Sequence, residues 1–340
     1  MRAFLPTADA GRGRLPLAEV FPAGVPGLAT RWLTLAGGER VRAVVAAPAG
    51  TEPAGAKAAD AADAPTVDVP TVLFLHGWGC LAYSFRFVLA PVAALGARAV
   101  AVDLRGHGWS DKPLDVAAYT PAALAAWTVA VLDALGVGRA VVVGHSLGGM
   151  VAIEAATAAP DRVAGLVLIA PVGLTVVGRL RLLRQCTPAA LAPLLPRLFT
   201  RGAVRVGLQA SYGPGRGPTA RDVDEYWAPS ADPALALATR LVAHAADWAP
   251  AERARLTRVT CPVRVLLGDH DNLIRVAAAR PLAEAFPRGR LDVLAGVGHV
   301  PAEEVPARVV DAVGAVLAEA AVDGRTGAGA GAGPVATARA

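Results

Sequence analysis

The sequence predicts an α/β domain, a mostly parallel central sheet with helices on both faces, carrying an inserted helical cap. Three observations lead there. Six short apolar runs, TVLFL at 71–75, RAVAV at 98–102, RAVVV at 139–143, GLVLI at 165–169, VRVLL at 263–267 and RLDVL at 290–294, recur with helical stretches between them. Their apolar residues are continuous rather than alternating, the mark of strands covered on both faces. Between Gly173 and Trp248 this rhythm stops, and a Leu-, Ala- and Arg-rich stretch broken by prolines takes its place. At 340 residues the chain has room for one large domain plus such an insertion.

Taken in order, residues 1–28 are expected to form a flexible N-terminal arm, and 29–172 with 249–320 the α/β core. Trp32, Leu33 and Leu35, then Val41, Ala43 and Val45, flank Gly37-Gly38 and read as a β-hairpin that opens the fold. The segment Ala46 to Pro70, rich in Ala, Pro, Gly and Asp, reads as an unstructured surface link. Thr120 as N-cap and Pro121 at the first helical position start a helix that runs to Leu135 and stops at Gly136. A second runs from Leu147 to Ala159 and ends at Pro160. The cap, 173–248, is expected over the carboxyl edge of the sheet, where open α/β folds place their ligands. Residues 321–340, dominated by GRTGAGAGAGPVATARA, are expected to be a disordered tail.

Hydrophobic residues make up 54% of the chain and charged ones 18%, enough apolar surface to exclude a disordered or fibrous protein. Arg, Pro or Gly interrupts every apolar run before the ~18 residues a membrane span needs, so no span is expected. Met1 to Arg14 lacks an unbroken apolar stretch, and a cytoplasmic location is expected. Cys80, Cys186 and Cys261 are far apart and odd in number, which fits neither a disulfide framework nor a zinc site. The net charge of +5 comes from arginine, Lys57 and Lys112 being the only lysines, and no nucleic-acid recognition motif accompanies it. A nucleic-acid partner is therefore not expected.

The chemistry begins at Gly144-His145-Ser146-Leu147-Gly148, which follows a strand and precedes a helix. A Gly-x-Ser-x-Gly turn in that context holds its serine at a strained strand tip, with glycines where neighbouring elements approach. Ser146 would project into a cleft, with the Leu147 N–H directed at an anion formed beside it. A serine hydroxyl needs a base, and the base an orienting acid. Five of the six histidines lie in loops at strand ends; His299, just after the last strand and flanked by Gly296 and Gly298, is the expected base. Asp269 and Asp271 both follow the strand VRVLL, and Asp271, farther into the loop, is the expected acid, with Asp269 capping the turn. The loop Ala170-Pro171-Val172-Gly173 offers no carboxylate. His145, Trp78, Tyr226 and Trp227 are candidate substrate contacts, while Met150, Trp127 and Phe85 are expected in the core.

On these motifs the chain resembles the α/β-hydrolase superfamily, as a serine-nucleophile member with a helical cap, over roughly residues 30 to 318. The order Ser146, Asp271, His299 matches that family's order of nucleophile, acid and histidine. His76-Gly77-Trp78-Gly79 resembles its His-Gly oxyanion loop, which implies that Trp78 supplies a backbone N–H beside that of Leu147. Asp103-Leu104-Arg105-Gly106-His107-Gly108-Trp109-Ser110 resembles a structural turn of the family, and Gly298-His299-Val300-Pro301 with Glu304 its usual surroundings of the histidine. There is no His-Gly-Gly-Gly block.

The resemblance implies a serine hydrolase of carboxylic esters, thioesters or lactones acting through an acyl-enzyme, on a small-molecule acyl substrate and with neither metal nor organic cofactor. A serine in place of an aspartate argues against haloalkane dehalogenase and epoxide hydrolase chemistry. Carbon–carbon bond hydrolysis of ring-cleavage products, perhydrolase or acyltransferase chemistry, and a non-catalytic ligand-binding member of the fold are the alternatives. From Gly173 to Arg216 there are seven arginines and no acidic residue, a solvated face or a peripheral lipid contact.

Overall fold

In this computed structural model the described residues are 14–48, 69–175, 187–246 and 251–329. Eight strands form one sheet in the order β1-β2-β4-β3-β5-β6-β7-β8. The hairpin is β1 (Leu28–Thr34) and β2 (Arg40–Ala46), paired antiparallel, and β2 joins β4 (Arg98–Val102) antiparallel as well. From there β3 (Thr71–Leu75), β5 (Ala140–His145), β6 (Val163–Ile169), β7 (Val263–Gly268) and β8 (Gly289–Leu294) all run parallel to β4. Every apolar run read from the sequence is thus a strand. Those of β3 and β5 are buried along their whole length, as expected of strands covered on both faces.

Two apolar layers cover the sheet. On one side Trp127, Val131 and Leu132 of α2 (Pro121–Ala134) and Met150, Val151 and Ile153 of α3 (Leu147–Ala158) pack against Leu73, Val100, Val142 and Leu168. On the other, Leu89 and Val92 of α1 (Leu89–Ala94) and Val309, Val313 and Val316 of the last helix meet Val72, Phe74, Val141 and Val167. Each such buried aliphatic side chain contributes about 1.5–3 kcal/mol. Thr120 accepts from the Ala123 N–H, so the predicted cap and proline start α2 as read.

Helices Arg201–Gln209, Ala220–Trp227 and Ala234–Ala245 occupy the insertion between β6 and β7. Thr200 caps the first, and Thr219 with Asp222 forms a reciprocal capping box on the second.

Two boundaries differ from the sequence reading. Residues 14–27, expected in a flexible arm, are packed: Phe21 is buried, its N–H donates to Glu225 Oε1 at 2.9 Å, and its carbonyl accepts from the buried Arg42 guanidinium. Arg14 lies over the Trp227 ring at 4.7 Å. The physical reason is a hydrophobic and charged docking surface on the cap that a composition-based reading of the arm does not see. The last helix, Pro306–Gly329, also runs past residue 320. Residues 49–68 of the expected link, 330–340 of the tail, Cys186, Trp248 and the arginines 179, 181 and 184 lie outside the described residues. Among the described residues no helix is long and apolar enough to cross a membrane.

Candidate active site

The parallel strands β5, β7 and β8 end on one edge, and the loops leaving them bring three side chains together across long sequence separations. Ser146 sits between β5 and α3 with φ 52° and ψ −113°, a left-handed conformation unusual for a residue with a Cβ. Backbone close packing holds it there. A Cβ on Gly148 would collide with the Leu75 carbonyl, and one on Gly149 would come within 2.5 Å of Pro171. One on Gly144 would lie 2.7 Å from the Gly149 Cα. The Ser146 N–H donates to Ile169 O at 2.9 Å, and its carbonyl accepts from Val172 N at 3.0 Å. Strain at the serine is therefore imposed from both sides by glycine contacts and hydrogen bonds.

His299 Nε2 lies 3.1 Å from Ser146 Oγ, and its Nδ1 lies 2.7 Å from Asp271 Oδ2. All three residues are buried, Ser146 at 7% exposure and His299 at 6%. The other Asp271 oxygen accepts from the Leu273 and Ile274 N–H groups at 2.8 and 2.9 Å. Burial opposes ionisation of Asp271, but the adjacent imidazole and these amides outweigh it and hold its carboxyl below the ordinary value. With Asp271 ionised, Nδ1 carries the ring proton and Nε2 is free to accept one from the serine. Asp269 faces elsewhere, its Oδ1 accepting from the Gly296 N–H at 2.7 Å and lying 2.8 Å from His270 Nδ1.

The loop after β3 runs along the other side of Ser146. A Cβ on Gly77 would meet both the Ser146 Cβ and His145 Nδ1 at 3.2 Å, a tight contact that glycine avoids. Gly148 N–H donates to the His76 carbonyl at 3.1 Å, locking the two loops together. Among the described residues the backbone N–H groups of Trp78 and Leu147 have no protein acceptor. The Trp78 indole N–H donates to the Thr239 carbonyl at 2.9 Å, on the cap helix Ala234–Ala245.

Three further histidines are buried and neutral. His76 donates from Nδ1 to Gly77 O at 2.8 Å and accepts at Nε2 from Leu104 N–H at 2.9 Å, using both nitrogens of the uncharged ring. Burial pushes it down to about 4, and His107 and His145 to about 3. His145 does not face open space. Its Nε2–H donates to the His299 carbonyl at 2.8 Å, bracing the loop opposite.

The other candidate substrate contacts also turn inward. Tyr226 is 4% exposed and donates to Glu303 Oε1 at 2.5 Å, with Ser84 Oγ 2.8 Å from its hydroxyl. The Trp227 indole donates to Phe199 O at 3.2 Å inside the cap. The Tyr226 hydroxyl is thus taken up at the cap-to-core junction and the Trp227 indole within the cap. His244 likewise pairs with Thr187 at 3.1 Å.

That junction was not foreseen from sequence. Arg86, from the core, bonds Asp222 of the cap at 2.9 Å and Glu303 beside the histidine loop at 2.8 Å, with both carboxylates nearly enclosed. Tyr83 donates to Asp222 at 2.7 Å and Tyr212 to Glu303 at 2.7 Å. The five residues are scattered from 83 to 303 and form no motif; the one legible signal was the acidic pair Glu303-Glu304 after His299. Asp103 anchors the turn before the cleft as its resemblance implied, accepting from Ala82 N–H at 2.8 Å and Trp109 N–H at 2.9 Å. Among the described residues no three or more His, Cys, Asp and Glu side chains gather as a metal ion would need.

Comparison with known proteins places the molecule in a class. The model of the alpha/beta hydrolase family matches residues 72–312, and the chain belongs to that family. An uncharacterized protein of Mycobacterium tuberculosis (strain ATCC 25618 / H37Rv) is 32% identical over 258 residues, 71% of this chain and 73% of its own. Among solved structures, one described as an N-acyl homoserine lactone degrading enzyme superposes with a TM-score of 0.59 at 25% identity, covering 82% of this chain and 97% of that one. An epoxide hydrolase superposes with a TM-score of 0.68 at 21% identity, covering 86% and 99%. The protein is thus a hydrolase of the alpha/beta hydrolase family.

Proposed function

We propose that the protein hydrolyses carboxylic esters, lactones included, through an acyl-enzyme on Ser146. The observation that carries this reading is the continuous relay from Asp271 Oδ2 through both nitrogens of His299 to Ser146 Oγ, at 2.7 and 3.1 Å. In the first half-reaction Ser146 Oγ attacks the carbonyl carbon while His299 Nε2 takes its proton. Asp271 holds the tautomer and stabilises the imidazolium. The Trp78 and Leu147 N–H groups donate to the tetrahedral oxyanion, each worth about 10²–10³ in rate. His299 then protonates the leaving alkoxide. Water, deprotonated by the same nitrogen, releases the acid and restores the serine.

Epoxide opening in related enzymes starts from a carboxylate nucleophile, and position 146 is a hydroxyl. The lactone named for the 25%-identical structure is a cyclic carboxylic ester, so it falls within the same chemistry. Hydrolysis of p-nitrophenyl esters from acetate to decanoate, an acyl homoserine lactone and a ring-cleavage diketone tests the assignment. Turnover of the esters or lactone by the native chain, lost in Ser146→Ala, supports it. Turnover of the diketone alone would replace it with carbon–carbon bond hydrolysis. Tight ligand binding with no turnover of any acyl substrate would make the protein a receptor.

A further inference from the structure

The loop that bears His299 is not held by the core alone. Its backbone lies directly against the cap loop that follows helix Arg201–Gln209: the His299 N–H donates to the Ser211 carbonyl at 2.7 Å. A Cβ on Gly298 would come within 2.5 Å of both the Gly213 nitrogen and the Ser211 oxygen. A Cβ on Gly213 would lie 2.5 Å from the Gly296 oxygen and 3.0 Å from the Gly298 nitrogen. Two bare backbones are in contact where either side chain would force them apart.

One side chain fastens the contact. Glu304 is fully enclosed; its Oε1 accepts from the Gly298 N–H at 2.8 Å, and its Oε2 from the Gly213 N–H at 2.9 Å. Arg216 of the same cap loop approaches Oε2 at 3.4 Å. A carboxylate has one acceptor oxygen for each amide, whereas a carboxamide has a single oxygen and would turn an N–H₂ against the second N–H. The site therefore asks for a carboxylate rather than any polar side chain of that length.

We propose that Glu304 is a positioning residue, a clamp that ties the cap loop Ser211–Gly213 to the histidine loop and thereby sets the imidazole of His299 against Ser146. The proposal rests on the reading of His299 as the base, and it adds that the cap completes the alignment of that base. Small displacements of a reacting group lower rates steeply, about 10²-fold for 1 Å.

The test compares wild type with Glu304→Gln and Gly213→Ala by two measurements. The first is the rate of Ser146 labelling by a small fluorophosphonate, resolved into a maximal rate and a binding constant. The second is the proton resonance of the His299 Nδ1–H bonded to Asp271. We expect both variants to lower the maximal labelling rate about 10-fold with binding unchanged, and to shift or broaden that resonance while the melting temperature stays within a few degrees. An unaltered resonance and labelling rate in both variants would overturn the clamp. If wild-type Ser146 resists the probe, the hydrolytic reading fails, while the resonance still decides whether Glu304 positions the ring. Gly213→Ala leaves the carboxylate in place, so the question stands even if Glu304→Gln folds poorly.

Discussion

The two loops that carry Ser146 and His299 are held in different ways. Around Ser146 the restraints come from the sheet, its own helix and the loops leaving β3 and β6: Gly144, Gly148 and Gly149 admit backbone at close range, His76 accepts from Gly148, and Ile169 and Val172 complete the hydrogen bonds. Around His299 the core braces the loop through Asp271, His145, Glu304 and the His270 N–H to Val297 O, and the insertion adds contacts of its own through Ser211 and Gly213. The lesson is that Ser146 is placed without the insertion, whereas the placing of His299 is finished by the cap. Substitutions in the two regions should therefore fail differently.

The largest effect is expected at Ser146, the proposed nucleophile. Ser146→Ala should lower kcat for p-nitrophenyl butyrate by about 10³-fold or more with the fold intact, since the methyl fits where the hydroxyl was. Unchanged turnover would remove the serine from the chemistry. Asp271→Asn should follow at about 10²–10⁴-fold, because the amide stabilises the wrong imidazole tautomer. The pairing sharpens the comparison: Asp271 also accepts from the Leu273 and Ile274 amides, so this variant should lose some thermal stability where Ser146→Ala does not.

Next, Gly148→Ala should destabilise by about 2–4 kcal/mol in urea unfolding, because its Cβ meets the fixed Leu75 backbone. If it proved as mild in unfolding as a change in the cap loop, the contrast between a core-built and a cap-finished site would be lost.

Stability should also fall on acidification. The folded chain keeps His76 neutral down to about 4 and His107 and His145 down to about 3, while unfolded imidazoles take up protons near 6.5. Between about pH 6.5 and 4 the unfolded state binds more protons, so unfolding becomes easier as pH drops, by about 1.4 kcal/mol per pH unit for each imidazole. Asp271, held below its ordinary value, adds to the loss at still lower pH, as its folded carboxylate takes up a proton. Melting temperatures at pH 7, 6, 5 and 4 check the sign; a constant value would mean that these rings are not kept neutral. The smallest effect is reserved for Trp78→Phe, which removes only the indole bond to Thr239 and should lower kcat a few-fold with KM little changed.

Much of this was legible before any coordinates. The strands could be read because burial on both faces writes itself as continuous apolar runs, and Ser146, Asp271 and His299 because each sits at a strand's carboxyl end beside glycines that only a tight turn requires. The choice of Asp271 over Asp269 rested on position along the loop; Asp271 lies 2.7 Å from His299 Nδ1, while Asp269 bonds Gly296. The cap was legible as a helical insertion but its contacts were not. Arg86, Asp222 and Glu303 meet through tertiary docking across some 200 residues of chain, and no local pattern encodes such a meeting. The same blindness applies to Tyr226 and Trp227, candidate substrate contacts whose polar atoms bond Glu303 at the junction and Phe199 within the cap.

The indole of Trp78 has a consequence for engineering. The residue whose amide we propose as an oxyanion donor hangs by its ring from the cap helix Ala234–Ala245. A chimera that grafted another protein's insertion onto this sheet would exchange more than the walls around the guest molecule. It would hand the transition-state cradle to a foreign scaffold, so new selectivity and retained speed would have to be redesigned as one problem.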